Sequence, residues 1–206
     1  MEWTREGEGL FKKLLTRYEK DSVGKGFNPL RELTRVSEAI LSPWGIVAPE
    51  GGFLVVVRGK WNPARPWNEA ALAAGPDTPG SYNALKVGGL YPAGEDKLLD
   101  HETILVNFGP GSVTPSAVVG EWGAQYHMEP QHARAVFSVA EKYPHLDRAL
   151  GTPGRFVLST LEKCDFRGVL QSPYVGWYES RREASLDPLA YGWVDDCWIA
   201  FSRVAP

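Results

Sequence analysis

The stretch "GWVDDCWIAF", residues 192–201, reads as the middle of the longest strand in the chain, 191–204, and poses its central chemical question. Successive side chains of a strand point to opposite faces. Trp193, Asp195, Cys197, Ile199 and Phe201 then share one face, and Val194, Asp196, Trp198 and Ala200 the other. Both faces are apolar, so whichever is covered, a carboxylate enters a poorly solvated place. There it needs a partner, or its pKa rises until it is neutral. Asp195 and Asp196 are therefore candidate acid/base residues, candidate members of a structural ion pair, or residues of a β-bulge beside Gly192 that turns them to water. An unpaired buried charge costs several kcal/mol against a domain stability of ~5–15 kcal/mol. At least one of the two is expected to meet a cationic or backbone donor.

Working back along the chain, "YVGWY" (174–178), "GRFVLSTL" (154–161), "ETILVNF" (102–108) and "GFLVVVRG" (52–59) give four more strands, short, apolar and bounded by turn residues. Helical spacing appears elsewhere. Residues 4–20 carry Leu10, Phe11, Leu14, Leu15 and Tyr18 on one face. Asn28-Pro29 opens a second helix with Leu30, Leu33, Val36 and Ile40 on its apolar side, and "SPWG" (42–45) stops it. A short helix fits 67–74, and two more fit 115–126 and 130–143 around "HMEP". Helices and strands do not alternate as in a doubly wound fold. The order implies a single α+β domain over 1–206, with a helical segment at 1–45 and a sheet-containing body at 46–206. The expected architecture is a mainly antiparallel sheet of about five strands, with an N-terminal helical hairpin and a second helix pair inserted between strands.

Composition narrows the function classes. The net charge of -3 gives no general attraction to phosphate backbones or anionic membranes, so nucleic acid is an unfavoured partner. No apolar run approaches the ~18 residues of a membrane span, and "MEWTREGEGLF" has no apolar signal region. Two cysteines, Cys164 and Cys197, lack the spacing of a disulfide scaffold or zinc site, and are expected to be free thiols of a cytoplasmic protein. No metal or cofactor is expected. His127 and His132 are separated by Pro130, which breaks the helix a zinc motif needs. "NFGPGS" (107–112) reads as a tight turn, since Pro110 removes an N–H that an anion cradle would use.

Eight tryptophans are a surplus that suits a deep core or a binding face. The loop from 60 to 97 is rich in Pro and Gly, too long for a plain connector, and holds Trp61, Trp67, Tyr82 and Tyr91. "ESRRE" (179–183) adds Arg181 and Arg182. Trp, Tyr and Arg are the usual anchors of interfaces. The leading expectation is a non-catalytic binding protein of inhibitor, immunity or adaptor type, taking a protein or small-molecule ligand through that loop. A hydrolase or transferase comes next, with Asp195, Asp196, Asp100 and His101 as acid/base residues in a sheet-lined cleft. A helix-turn-helix nucleic-acid module at 116–143 is third. It needs Val118, Trp122 and Tyr126 to pack on Ala133, Val136, Phe137 and Ala140, and Gln131, His132 and Arg134 to face outward.

Overall fold

The protein is described by a computed structural model covering residues 29–110 and 113–203. The helix expected at 4–20 lies outside the described residues, and so does the hairpin it would complete. The first described helix, α1 (Pro29–Leu41), ends in a 3₁₀ turn at Ser42–Trp44 that Gly45 closes with φ 68°. β1 (Phe53–Trp61) follows, and the long loop contains α2 (Trp67–Ala74) before β2 (Leu99–Asn107). Next come α3 (Ser116–Gln125), β3 (Met128–Pro130), α4 (Ala133–Lys142) and α5 (Leu146–Ala149). The chain then runs through β4 (Arg155–Thr160), β5 (Cys164–Phe166), β6 (Val169–Tyr178), β7 (Arg181–Pro188) and β8 (Cys197–Arg203).

These strands form one 8-stranded sheet ordered β1-β2-β8-β4-β6-β5, with β3 beside β8 and β7 beside β6. The mixed helix-and-sheet class is as expected. The sheet of about five antiparallel strands is not: β4 and β8 pair in parallel, Val157↔Cys197 through Thr160↔Ala200. The added strands have physical reasons for escaping notice. β7, "RREASLDP", lies at an edge and carries charges that the alternation rule reads as loop. β5 and β6 meet through a two-residue turn at Arg167 and Gly168, both with positive φ, where Arg is an unusual occupant.

β8 sits inside the sheet, and its alternation sorts the whole core. Trp198 and Ala200 join one apolar cluster with Trp67, Phe137, Phe156 and Trp177. Cys197, Ile199 and Phe201 join the other with Leu41, Ile46, Val119 and Met128. The clusters lie on opposite faces, so helices cover the sheet on both sides. This separates α3 from α4. Trp122 and Tyr126 pack near Phe108 and Phe201, while Ala133, Val136, Phe137 and Ala140 point into the first cluster. The packing expected of a helix-turn-helix is absent, because β3 carries the chain along β8 between the two helices. The free cysteines, Cys164 and Cys197, are likewise on opposite faces. No helix among the described residues is long and apolar enough to cross a membrane.

Both outer edges of the sheet are closed. On α1 the buried face includes Thr34 and Ser37, while Val36 and Ile40 are only half-buried. Both hydroxyls serve the adjacent strand. Thr34 Oγ1 accepts from Leu54 N at 3.3 Å and Ser37 Oγ from Val56 N at 3.1 Å. Further along β1, the Arg58 carbonyl accepts from Lys142 Nζ and Tyr143 Oη. At the other edge, Arg182 N and Ala184 N of β7 donate to Asp77 Oδ2 and Thr78 Oγ1, both at 2.8 Å.

Replacing Thr34 by Val and Ser37 by Ala together should leave two buried β1 N–H groups without acceptors. A loss of about 1–3 kcal/mol per group is expected in urea denaturation. The bared edge should also raise self-association, seen as a concentration-dependent shift in size-exclusion chromatography. Unchanged stability would mean that water replaces the hydroxyls.

Candidate functional site

The two aspartates do not lie within a strand. β8 begins at Cys197, and Asp195-Asp196 form a turn ahead of it. Gly192 makes that approach possible, with φ 70° and no room for a side chain: a Cβ would stand 2.6 Å from Val113 Cγ1. Trp193 is bridged to Thr114 by two backbone hydrogen bonds of 2.8 Å. The buried Asn107 then clamps the turn, its Nδ2 donating to the Asp195 carbonyl at 2.7 Å and the Cys197 carbonyl at 2.9 Å. Asp195 is exposed. Asp196 lies 3.8 Å from the well-exposed Arg155 guanidinium, and its Oδ1 accepts from Cys197 Sγ at 3.6 Å. Burial pushes the Cys197 thiol up to about 12.

Asp100 and His101 are adjacent in β2 but live in different surroundings. Asp100 is exposed, 3.5 Å from Lys60 Nζ. His101 lies across Gly59 of β1, where a Cβ would stand 2.5 Å from its Nε2, so only glycine leaves room for the ring. Its tautomer follows from its neighbours. Gln131 Oε1 accepts the His132 N–H, which turns Gln131 Nε2 toward Thr103 Oγ1 at 2.8 Å. Ser138 donates to the Ala135 carbonyl at 2.7 Å, leaving its lone pairs to His101 Nε2 at 3.0 Å. The proton therefore sits on Nε2, and Nδ1 accepts from the Thr103 hydroxyl at 2.8 Å. Burial, helped by the nearby Lys142 charge, holds His101 down to about 4.

The long loop is fastened from below by Arg134. Its Nη2 donates to the Tyr91 carbonyl at 2.7 Å, Nε to the Arg65 carbonyl at 3.1 Å and Nη1 to the Pro92 carbonyl at 3.3 Å. Arg134 and Gln131 are buried, at 4% and 5% exposure, rather than facing outward as a base-reading helix requires. Trp67 and Tyr91 are core residues as well. They stack at 4.2 Å, Trp67 Nε1 donates to the Ala84 carbonyl at 2.6 Å, and the Arg134 guanidinium lies 5.5 Å from the Trp67 ring. The loop buries these aromatics because its own small helix, α2, needs a core to stand on. Tyr82 is half-buried and donates to Glu183 Oε2 at 3.1 Å. Arg181 pairs with Glu183 at 3.2 Å, and Arg182 reaches the Ala73 carbonyl and the Trp177 ring. These three form a separate group along β7.

Trp61 differs from the other loop aromatics. It is half-buried, stacks on His132 at 4.6 Å, and lines a cleft of about 930 Å³. The cleft lies between the two ends of the loop and the outer side of α4, with Ser138, Arg134 and Lys142 among its lining. A pair of 2.5 Å between Arg65 and Glu141 joins loop to helix. At the start of α4, His132 Nδ1 accepts from Arg134 N at 3.1 Å and Glu162 Oε2 from Ala133 N at 2.6 Å. Burial raises the Glu162 carboxyl and lowers His132 to about 4, with the Arg134 charge adding to the latter. Sequence reasoning missed Ser138 and Glu162, and placed Arg134 facing outward where the structure buries it. Only the spacing of Arg134 from Phe137, on the apolar side of α4, hinted at burial. Among the described residues, no three His, Cys, Asp or Glu side chains gather where they would hold a metal ion.

The histidines set a pH dependence. Both fall from an ordinary 6.5 to about 4 on folding, so between these values the unfolded chain binds more protons than the folded one. Stability should therefore fall as pH drops from 6.5 toward 4, partly offset by Glu162, whose raised pKa works in the opposite sense. The urea midpoint measured through this window tests it. A His101→Asn, His132→Asn double variant, less stable at neutral pH, should decline less steeply. A wild-type midpoint that is flat across the window would mean that both imidazoles are open to water.

Comparison of the chain with protein-family models, with curated proteins and with solved structures finds no match in any of the three.

Proposed function

We propose that the protein is a non-catalytic binding protein whose recognition surface is the cleft between the long loop and α4. One observation carries the reading: a concavity of about 930 Å³, walled by Trp61 and by both ends of the loop, opens over a helix that the loop itself is fastened to. That volume falls in the range of sites that hold small molecules or a short peptide segment. The lining is mixed. Trp61, Pro66 and the well-exposed Leu98 offer apolar contact, while Lys60, Glu69 and Asp96 carry charges of both signs. A ligand with an apolar body and charges of both signs suits it best. Of the carboxylates first considered for catalysis, neither Asp195 nor Asp196 lines this cleft.

A hydrolase reading draws on a different residue, Ser138, which lines the cleft 3.0 Å from His101 Nε2. It requires the imidazole to accept the hydroxyl proton, whereas His101 now donates to Ser138 and its basicity is depressed to about 4. Binding therefore ranks first. Nitrophenyl acetate separates the two: ester cleavage that Ser138→Ala abolishes would put the hydrolase ahead.

The binding reading is tested with two tryptophan variants. A panel of amino acids, dipeptides and zwitterionic aromatic compounds is screened by ligand-observed NMR against the wild-type protein. Trp61→Ala should lose the hits while keeping its melting temperature within a few degrees. Trp67→Ala should instead cost about 3–5 kcal/mol in stability, as expected for removal of a buried aromatic. Hits that survive Trp61→Ala unchanged, or a panel with none, would sink the assignment of the cleft.

A further inference from the structure

The opposite face of the sheet carries a second concavity, separate from the cleft. About 750 Å³ in volume, it lies between the outer side of α3 and the β5–β6 hairpin. Ala117 and Gly120 provide small residues from α3, Leu161 contributes a buried wall, and Val169 and Leu170 stand on the β6 side. The hollow exists because of what α3 lacks. A Cβ at Gly120 would meet only Leu161 Cδ1, at 3.9 Å, so open space begins where a larger side chain would stand. Val169 and Leu170 are 43% and 53% exposed, two adjacent aliphatic residues left in water beside an apolar hollow. Contiguous exposed apolar surface is a feature of ligand-binding grooves and interaction sites.

The lining also specifies the occupant. None of the described lining residues is aromatic or acidic, so nothing there stacks on a planar ring or draws a cation. Ser116, its hydroxyl member, already donates to the Leu189 carbonyl at 2.8 Å. Lys163 is the single charged lining residue, and among the described residues no carboxylate pairs with it. We infer that this groove binds an amphipathic aliphatic anion, with an acyl chain along α3 and its carboxylate on Lys163. The volume is that of an ordinary small-molecule site. The lysine, a mobile point charge on a long stem, reaches an anionic head without demanding a fixed geometry.

Decanoate is the probe, titrated calorimetrically below its micelle threshold into the full chain, with decyltrimethylammonium as the same chain of opposite charge. One saturable site is expected, with decanoate bound more tightly. Gly120→Leu should abolish it by filling the hollow, and the change favours helix, so circular dichroism should be unaltered. Leu170→Gln, at the exposed rim, should weaken binding without touching α3. Lys163→Gln should weaken decanoate about two- to fivefold, the scale of an exposed ion pair, and remove the preference for the anion. Unsaturable uptake, or binding that survives Gly120→Leu in a folded protein, overturns the proposal. So does co-sedimentation with anionic phospholipid vesicles when monomeric decanoate does not bind, which would identify the patch as a membrane-facing surface.

Discussion

A buried guanidinium holds the least regular segment of this protein in place. The segment between Trp61 and Leu99 is too polar in its backbone and too rich in Pro and Gly to form a sheet or a long helix, yet every buried carbonyl needs a donor. Arg134 supplies three at once, to residues 65, 91 and 92, from the first turn of α4. Its planar fork reaches both ends of the loop, a span that a lysine ammonium, donating from one point, does not match. No carboxylate lies within ion-pairing distance of it among the described residues, and burial lowers its pKa. The charge is solvated instead by peptide dipoles and by the Trp67 ring below it. Such an arrangement tolerates no partial version. Removing one carbonyl partner leaves a charged donor bare, and removing the arginine leaves three carbonyls bare.

The sheet supplies the other half of the design. With β8 inside it and apolar on both faces, neither face can be left to water, so helices are needed on both sides. The edges then become the weak points, and they are closed by side-chain hydroxyls and a carboxylate rather than by further strands. Covering an edge in this way fixes where α1 and the loop at 75–78 sit. The same two segments therefore serve the sheet and position the surfaces around it.

How much of this could be read beforehand depends on whether a residue's neighbours are near in sequence. The alternation from Cys197 to Phe201, the β-branched run at 55–57 and the helices at 67–74, 116–125 and 133–142 follow local periodicity and were legible. Strand order was not, because β4 and β8 meet only in three dimensions. Charged residues were the main source of error. Arg134 looks like a solvent-facing residue at a helix start, and Asp195-Asp196 look buried within an apolar run. The reverse holds for Arg134, and the aspartates occupy a turn, because Gly192 and Asn107 redirect the chain before β8 begins. Thr34 and Ser37 were missed in the same way. The helical face was read through Val36 and Ile40, whereas the buried side carries the two hydroxyls that serve β1.

The cleft and the groove lie on opposite sides of the sheet, joined by the short passage from α3 through β3 to α4. Communication between them would need an element with two arrangements. The passage offers none. Gln131 donates its backbone N–H to the Ala200 carbonyl at 3.0 Å, and its own carbonyl accepts from Thr160 Oγ1 at 2.5 Å. Its side chain is held by Thr103 and by the His132 N–H. Every polar group of that buried residue is engaged, so a shift in one direction breaks a bond without forming another. A site that exists before its ligand arrives loses less freedom on binding than one the ligand must assemble. If the cleft and the groove bind as proposed, they are sites of that kind, concave in the folded chain before any ligand arrives.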